Sequence, residues 1–119
     1  MKQILEIQTE LPSMNDIIAT SKKHWSKYAK PKKSYDALVA IVARQQLKPI
    51  TKYPVDITCV WYCKDKRKDK DNIAAGIKFI LDGLTKSKIL KGDSWKYIGT
   101  ITHKFEVAGK PRVVVTLSC

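Results

Sequence analysis

Carboxylates are scarce in this 119-residue sequence: 11 Asp and Glu stand against 23 Lys and Arg, a formal net charge of +12. A surplus of that size in a small chain concentrates polyanions around it, so nucleic acid is the expected partner. Long apolar runs are also missing. No stretch approaches the ~20 residues of a membrane-spanning helix. The opening "MKQILEIQTE" has carboxylates where a secretion signal needs its apolar segment. The expectation is no membrane partner and a cytoplasmic location. Cysteine is sparse, and Cys59, Cys63 and Cys119 make no disulfide framework. No cluster of Cys and His completes a tetrahedral metal set. Neither repeats nor low-complexity linkers divide the chain, which reads as one domain over residues 1–119.

Hydrophobic periodicity then outlines the elements. Residues 3–9 alternate as a first strand, and 10–20 read as a loop. A basic segment follows and turns into an amphipathic helix that Pro31 can start, with Leu38, Ile41, Val42 and Gln45 on its apolar face. In "VDITCVWYC" (55–63) Val55, Ile57, Cys59, Trp61 and Cys63 alternate with Asp56, Thr58, Val60 and Tyr62, the clearest strand in the chain. Asp71 has the character of an N-cap for a helix whose Ile73, Ile77, Ile80 and Leu84 form one stripe. Strands over 95–107 and 112–118, joined by "AGKP", are expected to make a hairpin. The order β-α-β-α-β-β predicts a small α/β (α+β) domain with a mixed sheet.

The stretch "KRKDKDN" (66–72) puts two carboxylates, Asp69 and Asp71, inside the densest positive run. In an extended D-x-D both side chains lie on one side, about 7 Å apart at the backbone. They suit a hard cation such as Mg²⁺, with Mn²⁺ as a substitute. Asp93, in a loop 22 residues after Asp71, could return to the same place. A cation there would reconcile carboxylates with phosphate and support phosphodiester hydrolysis. The plainer alternative is a helix cap at Asp71 and a solvated Asp69. Asn72 could orient an aspartate or simply occupy a first helical turn.

The longer stretch 67–98, "RKDKDNIAAGIKFILDGLTKSKILKGDSWKYI", resembles the RusA family of Holliday junction resolvases, particularly phage and prophage members. It shares a basic lead-in, D-x-D-N, a helix lysine four residues before "D-G-L", and an acidic loop residue ahead of a strand. "LPSMN" (11–15) is similar to the family's P-S-x-N segment. The resemblance implies a homodimeric Mg²⁺- or Mn²⁺-dependent endonuclease, in a bacterial host cell, that cuts four-way DNA junctions by paired nicks. It implies metal-binding, catalytic roles for Asp69, Asp71 and Asp93, with Lys78 as the helix lysine. The family places that lysine four residues after its second aspartate, where this chain has Ala75. Counting back from Asp82 selects Lys78 and requires about three extra residues, near one helical turn. On a straight helix Asp82 lies ~16 Å along the axis from Asp71, too far to share a metal, and is read as structural.

"KKHWSKYAKPKK" (22–33) holds Lys22, Lys23, Lys27, Lys30, Lys32 and Lys33 with His24, Trp25 and Tyr28 among them. Together with Lys66, Arg67, Lys68 and Lys70, these lysines are the expected phosphate contacts. The aromatics either stack on unpaired bases or pack on the domain. His24 and His103 are read as non-catalytic. A near-two-fold substrate favours a two-fold dimer, for which strand 55–63 or helix 35–47 could supply the interface. The competing readings are a basic DNA-binding module without catalysis and a nuclease for flaps or forks. A toxin-like ribonuclease lacks the His, Arg or Tyr acid–base pairs it would need.

Overall fold

The computed structural model describes the backbone of every residue except 24, and the side chains of residues 1–18 and 35–119. Among the described residues eight elements follow in order: β1 (Lys2–Ile7), α1 (Met14–Lys23), α2 (Trp25–Gln46), β2 (Val55–Cys63), α3 (Lys70–Ala74), α4 (Ile77–Lys86), β3 (Ile98–Val107) and β4 (Arg112–Ser118). The strands form one mixed sheet in the order β1-β4-β2-β3, with β2 parallel to β3 and β4 antiparallel to both β1 and β2. The mixed α/β domain is thus as the periodicity predicts, and β2 and β4 occupy the expected spans.

Cross-strand rows show why the sheet has one dry face. Leu5, Val115 and Cys59 lie side by side, as do Ile7, Val113 and Trp61, all buried. Against them pack Val39 and Ala43 of α2 and Phe79, Ile80 and Leu84 of α4. The two helices meet closely at Gly83, where an added Cβ would fall 2.5 Å from the Cβ of Val39. That approach selects small residues, so the buried face of α2 is Val39, Ala40, Ala43 and Leu47. Leu38 and Ile41, expected there, are exposed, and Gln45 is exposed as well. Among the described residues no helix is long and apolar enough to cross a membrane.

Three further expectations are corrected. Residues 14–20 are helical, not loop, because Ser13 and Asp16 form a capping box for α1. The Ser13 backbone N–H and hydroxyl each donate to the Asp16 carboxylate at 3.0 Å. The second helix starts at Trp25, six residues before Pro31. The final two strands are not a hairpin: β2 lies between them. A four-residue connection can span two strand spacings, ~10 Å. The Ala108 N–H anchors it by donating to the Cys63 carbonyl at 2.9 Å, and Gly109 supplies the turn's positive φ of 72°.

Candidate active site

The segment between β2 and α3 is shaped by its own side chains. Asp65 accepts a hydrogen bond from the Arg67 backbone N–H at 3.0 Å and an ion pair from its guanidinium at 3.6 Å. Such a turn, closed two residues on, sets the chain direction after a strand. Lys68 then reaches back across the fold, donating to Glu10 at 2.8 Å and to Asp16 at 3.4 Å. Its ammonium is held more firmly protonated, first through the Glu10 hydrogen bond. The Asp16 carboxyl sits below its ordinary range, first through the Ser13 backbone N–H, against the opposing effect of burial. Lys68, expected to touch DNA, thus ties this segment to the start of α1.

Asp69 takes the N-cap position of α3 in an extended conformation (φ −70°, ψ 152°), and its carbonyl accepts the first helical bond, from Ile73 N–H at 3.1 Å. The cap is therefore Asp69 and not Asp71, which lies in the first helical turn, so the D-x-D is only half extended. Asp69 makes no capping bond with its side chain. Neither Asp69 nor Asp71 has a hydrogen bond or ion pair among the described residues, and both are exposed. Unpaired carboxylates amid Lys66, Arg67 and Lys70 are the chief oddity of the site. Their all-oxygen donor set fits a hard divalent ion, which needs only one or two carboxylates beside water and phosphate.

Asp69 lies on a cleft of about 680 Å³ at the C-terminal end of β2 and β3. Cys63, Ile73, Phe105 and Val107 supply apolar wall; Lys66, Lys70 and Glu106 supply charge. The Lys70 ammonium lies 5.7 Å from the Phe105 ring centre, a cation–π distance. Beside the cleft, a cavity of about 220 Å³ shares Cys63, Asp65, Lys68 and Ile73 with it and reaches Glu10 and Trp61.

The other candidates lie elsewhere. The helix after the cleft is broken: α3 ends at Ala74 and α4 begins at Ile77. At the break, Gly76 leaves only 3.0 Å between a notional Cβ and the Trp61 ring. Straight-helix distances therefore do not apply. Lys78 is exposed on α4 and pairs with Asp82 at 3.2 Å, as an i,i+4 pair should. Asn72 is half-buried, with no side-chain partner among the described residues.

Asp93 is far from the aspartate pair. Its loop is pinned at the N-terminal end of β2 and β3: Val55 N–H donates to the Tyr97 carbonyl at 2.9 Å, and Lys91 N–H to the Tyr53 hydroxyl at 3.0 Å. The Tyr53 and Tyr97 rings meet edge-on at 5.2 Å. The nine residues of β2 separate that end from the cleft, about 26 Å at ~3.3 Å per residue. Among the described residues no three His, Cys, Asp or Glu side chains gather as a metal site. Asp69 and Asp71 stand two residues apart at the start of α3, with Asp69 lining the cleft, and Asp93 lies at the opposite end of β2 and β3.

Lys22, Lys23, Lys27, Lys30, Lys32 and Lys33, with His24, Trp25 and Tyr28, lie outside the residues whose side chains are described. His103 is engaged in packing. Its Nδ1 accepts from the Trp61 indole N–H at 2.9 Å, and burial lowers its affinity for a proton. Sequence reasoning missed Glu10 and Asp16 as partners of Lys68, and Phe105 and Glu106 as cleft residues. The S-x-x-D spacing at 13–16 was the one signal available for Asp16.

The family profile Endodeoxyribonuclease RusA matches residues 10–118, the whole fold except β1. No curated protein matches the sequence. The match spans the D-x-D-N segment, both cleft-lining strands and the α1 cap that holds Lys68. On that extent, the chain belongs to the RusA family of endodeoxyribonucleases.

Proposed function

We propose that this protein resolves four-way DNA junctions by paired, divalent-metal-dependent phosphodiester hydrolysis, acting as a homodimer. The observation that carries the reading is the unpaired state of Asp69 and Asp71 within a cationic segment. Eleven carboxylates among 23 cations have ample choice of ion pairs. Lys68 and Arg67, on the same loop, take theirs. Two neighbouring carboxylates left open beside a cleft are suited to a cation brought in with phosphate.

Asp69 and Asp71 would hold Mg²⁺ or Mn²⁺. Bound there, the ion supplies positive charge that offsets carboxylate–phosphate repulsion and lowers the pKa of water at the scissile phosphate. The remaining work belongs to the chain. Lys66, Arg67 and Lys70 surround the aspartates and supply phosphate contacts, as do the six lysines of residues 22–33. Phe105 and Val107 give the cleft an apolar wall that limits water beside the reacting groups. Lys78, with Asp82 fixing its stem, is the helix cation for the backbone flanking the cut. Asn72, half-buried and without a side-chain partner among the described residues, is available to hold a water of the bound ion.

A gel assay with a labelled four-way junction and a matched linear duplex, in Mg²⁺, Mn²⁺ or EDTA, tests the reading. Symmetric nicks in the junction alone, absent in EDTA, are the expected result. Binding without cutting in either metal would leave a DNA-binding module. Cutting of flaps or forks in preference to junctions would reassign the substrate.

A further inference from the structure

Trp95 stands almost wholly in solvent, 97% exposed, on a loop that is otherwise held fast. The chain between α4 and β3 is bonded to residues 50–55 at both its ends: Ile50 N–H donates to the Ile89 carbonyl and Val55 N–H to the Tyr97 carbonyl, each at 2.9 Å. Gly92 lies against the Tyr97 ring, where an added Cβ would fall 2.7 Å from a ring carbon. Tyr97 N–H and Ile98 N–H both donate to the Ser94 carbonyl, at 2.9 and 3.1 Å, so the turn carrying Trp95 is closed as well. Single exposed apolar side chains are ordinary. This one is a whole indole held out on a pinned turn, while its aromatic neighbours Tyr53 and Tyr97 are half-buried.

Cations surround it. Lys52, Lys88, Lys91 and Lys96 are exposed, and none has an ion-pair partner among the described residues. The Lys96 ammonium lies 4.9 Å from the Tyr97 ring centre and that of Lys91 lies 5.8 Å from the Tyr53 ring centre, distances at which the rings help to hold the charges in place. Lys88 is the clearest case. It follows Ser87, the C-cap of α4, with φ 66°, the left-handed position that favours glycine. A lysine kept there forgoes stability, as residues retained for function do. Within residues 50–55 and 87–97 Asp93 is the one carboxylate against these four cations.

We infer that this loop is a second DNA-contact site, at the opposite end of β2 and β3 from the cleft, where Trp95 stacks on an unpaired base and Lys88, Lys91 and Lys96 hold the phosphates beside it. That DNA is the partner rests on the proposed function; the loop adds a second grip, about 26 Å from the cleft along β2. An aromatic face among unpaired cations is the combination that binds single strands, because every base has a π-face and every linkage a charge. Bases stacked within a linear duplex offer no such face, whereas strands opened at a branch do. Trp95 thereby favours DNA with open bases over duplex.

Binding measured in EDTA tests the site without any dependence on cutting. In a Trp25→Phe background the remaining tryptophans are Trp95 and the buried Trp61. Acrylamide should quench Trp95 in the free protein, and a dT oligonucleotide should both reduce the emission and shield it. In that background Trp95→Ala should weaken binding of the oligonucleotide and of a four-way junction about 10-fold, leave linear duplex unchanged, and not alter the dependence on salt. Lys91→Met with Lys96→Met should lower the slope of log K against log[salt] by ~1.8 on the junction. Lys88→Gly should raise Tm by ~3 °C, because glycine suits the turn, and yet lower that slope by ~0.9. Wild-type affinity of Trp95→Ala for all three DNAs, or an equal loss on duplex, would overturn the stacking role. A more stable Lys88→Gly with an unchanged slope would overturn the phosphate contact. A ring shielded from acrylamide before DNA is added would make the loop a protein contact instead. If the wild type binds the junction but never cuts it, the proposed function fails while these comparisons still decide the loop.

Discussion

Lys68→Met separates a tethering lysine from a DNA-binding one. The substitution keeps the length of the side chain and removes the ammonium that Glu10 and Asp16 hold at 2.8 and 3.4 Å. All three side chains are about half exposed, so each pair contributes ~0.2–1 kcal/mol and the two together about 1 kcal/mol. For a chain of this size that lowers Tm by ~3–5 °C. The difference between variant and wild type should shrink in 0.5 M salt, where the screening length falls to a few ångströms. It should also vanish in acid. The folded-state pKa of Asp16 is depressed, so its contribution is present above its ordinary pKa near 3.8 and is lost as pH falls through the folded value. Thermal melts over salt and pH give these quantities. Junction affinity measured over salt gives the rest: Lys68→Met should leave the slope of log K against log[salt] nearly unchanged, whereas Lys66→Met should reduce it by ~0.9. An unchanged Tm together with a slope reduced by about one would refute the reasoning and make Lys68 a phosphate ligand.

Packing, protonation and thiol chemistry give three further tests. Gly83→Ala should lower stability by about 1–2 kcal/mol in urea unfolding, because overpacking exceeds the ~1 kcal/mol gained in helix propensity. Adding Val39→Ala should not restore it, since the 2.5 Å contact is with the Val39 Cβ itself; rescue would mean the helices can part. His103 is depressed by burial, so its contribution is complete above pH ~6.5 and is lost as pH falls through the folded value. Tm should therefore fall between pH 7.5 and 5.5, and less so in His103→Phe; equal slopes would contradict the buried neutral imidazole. Burial pushes the Cys59 thiol up to about 12, whereas Cys119 is exposed. Iodoacetamide at pH 8 should label Cys119 and spare Cys59 until the protein is denatured.

Local patterns made β2 and β4 legible, because alternation of buried and half-buried residues along a strand needs only the chain itself. The same logic failed where a distant element decides. Gly76 and Gly83 look alike in sequence. One lies at a helix break against Trp61 and Leu11; the other admits Val39 of α2. Residues 108–111 advertise a turn, but nothing local reveals that β2 fills the space between the strands they join. The D-x-D segment was visible as an anomaly of charge. Its partners were not, since Lys68 meets carboxylates 52 and 58 residues away. Asp93 was the hardest case. Its spacing from Asp71 suggested a return to the same site, whereas a helix crossing the length of a parallel strand pair must end at the opposite end of those strands.

The most direct measurement pairs cleavage with binding for Asp71→Asn on a labelled four-way junction in Mg²⁺. Loss of nicking by at least ~100-fold, with junction affinity unchanged or tighter because a negative charge near phosphate is gone, is the predicted result. Nicking at the wild-type rate, or loss of binding and cleavage together in a protein with reduced Tm, would contradict it and make Asp71 a structural part of the first turn of α3.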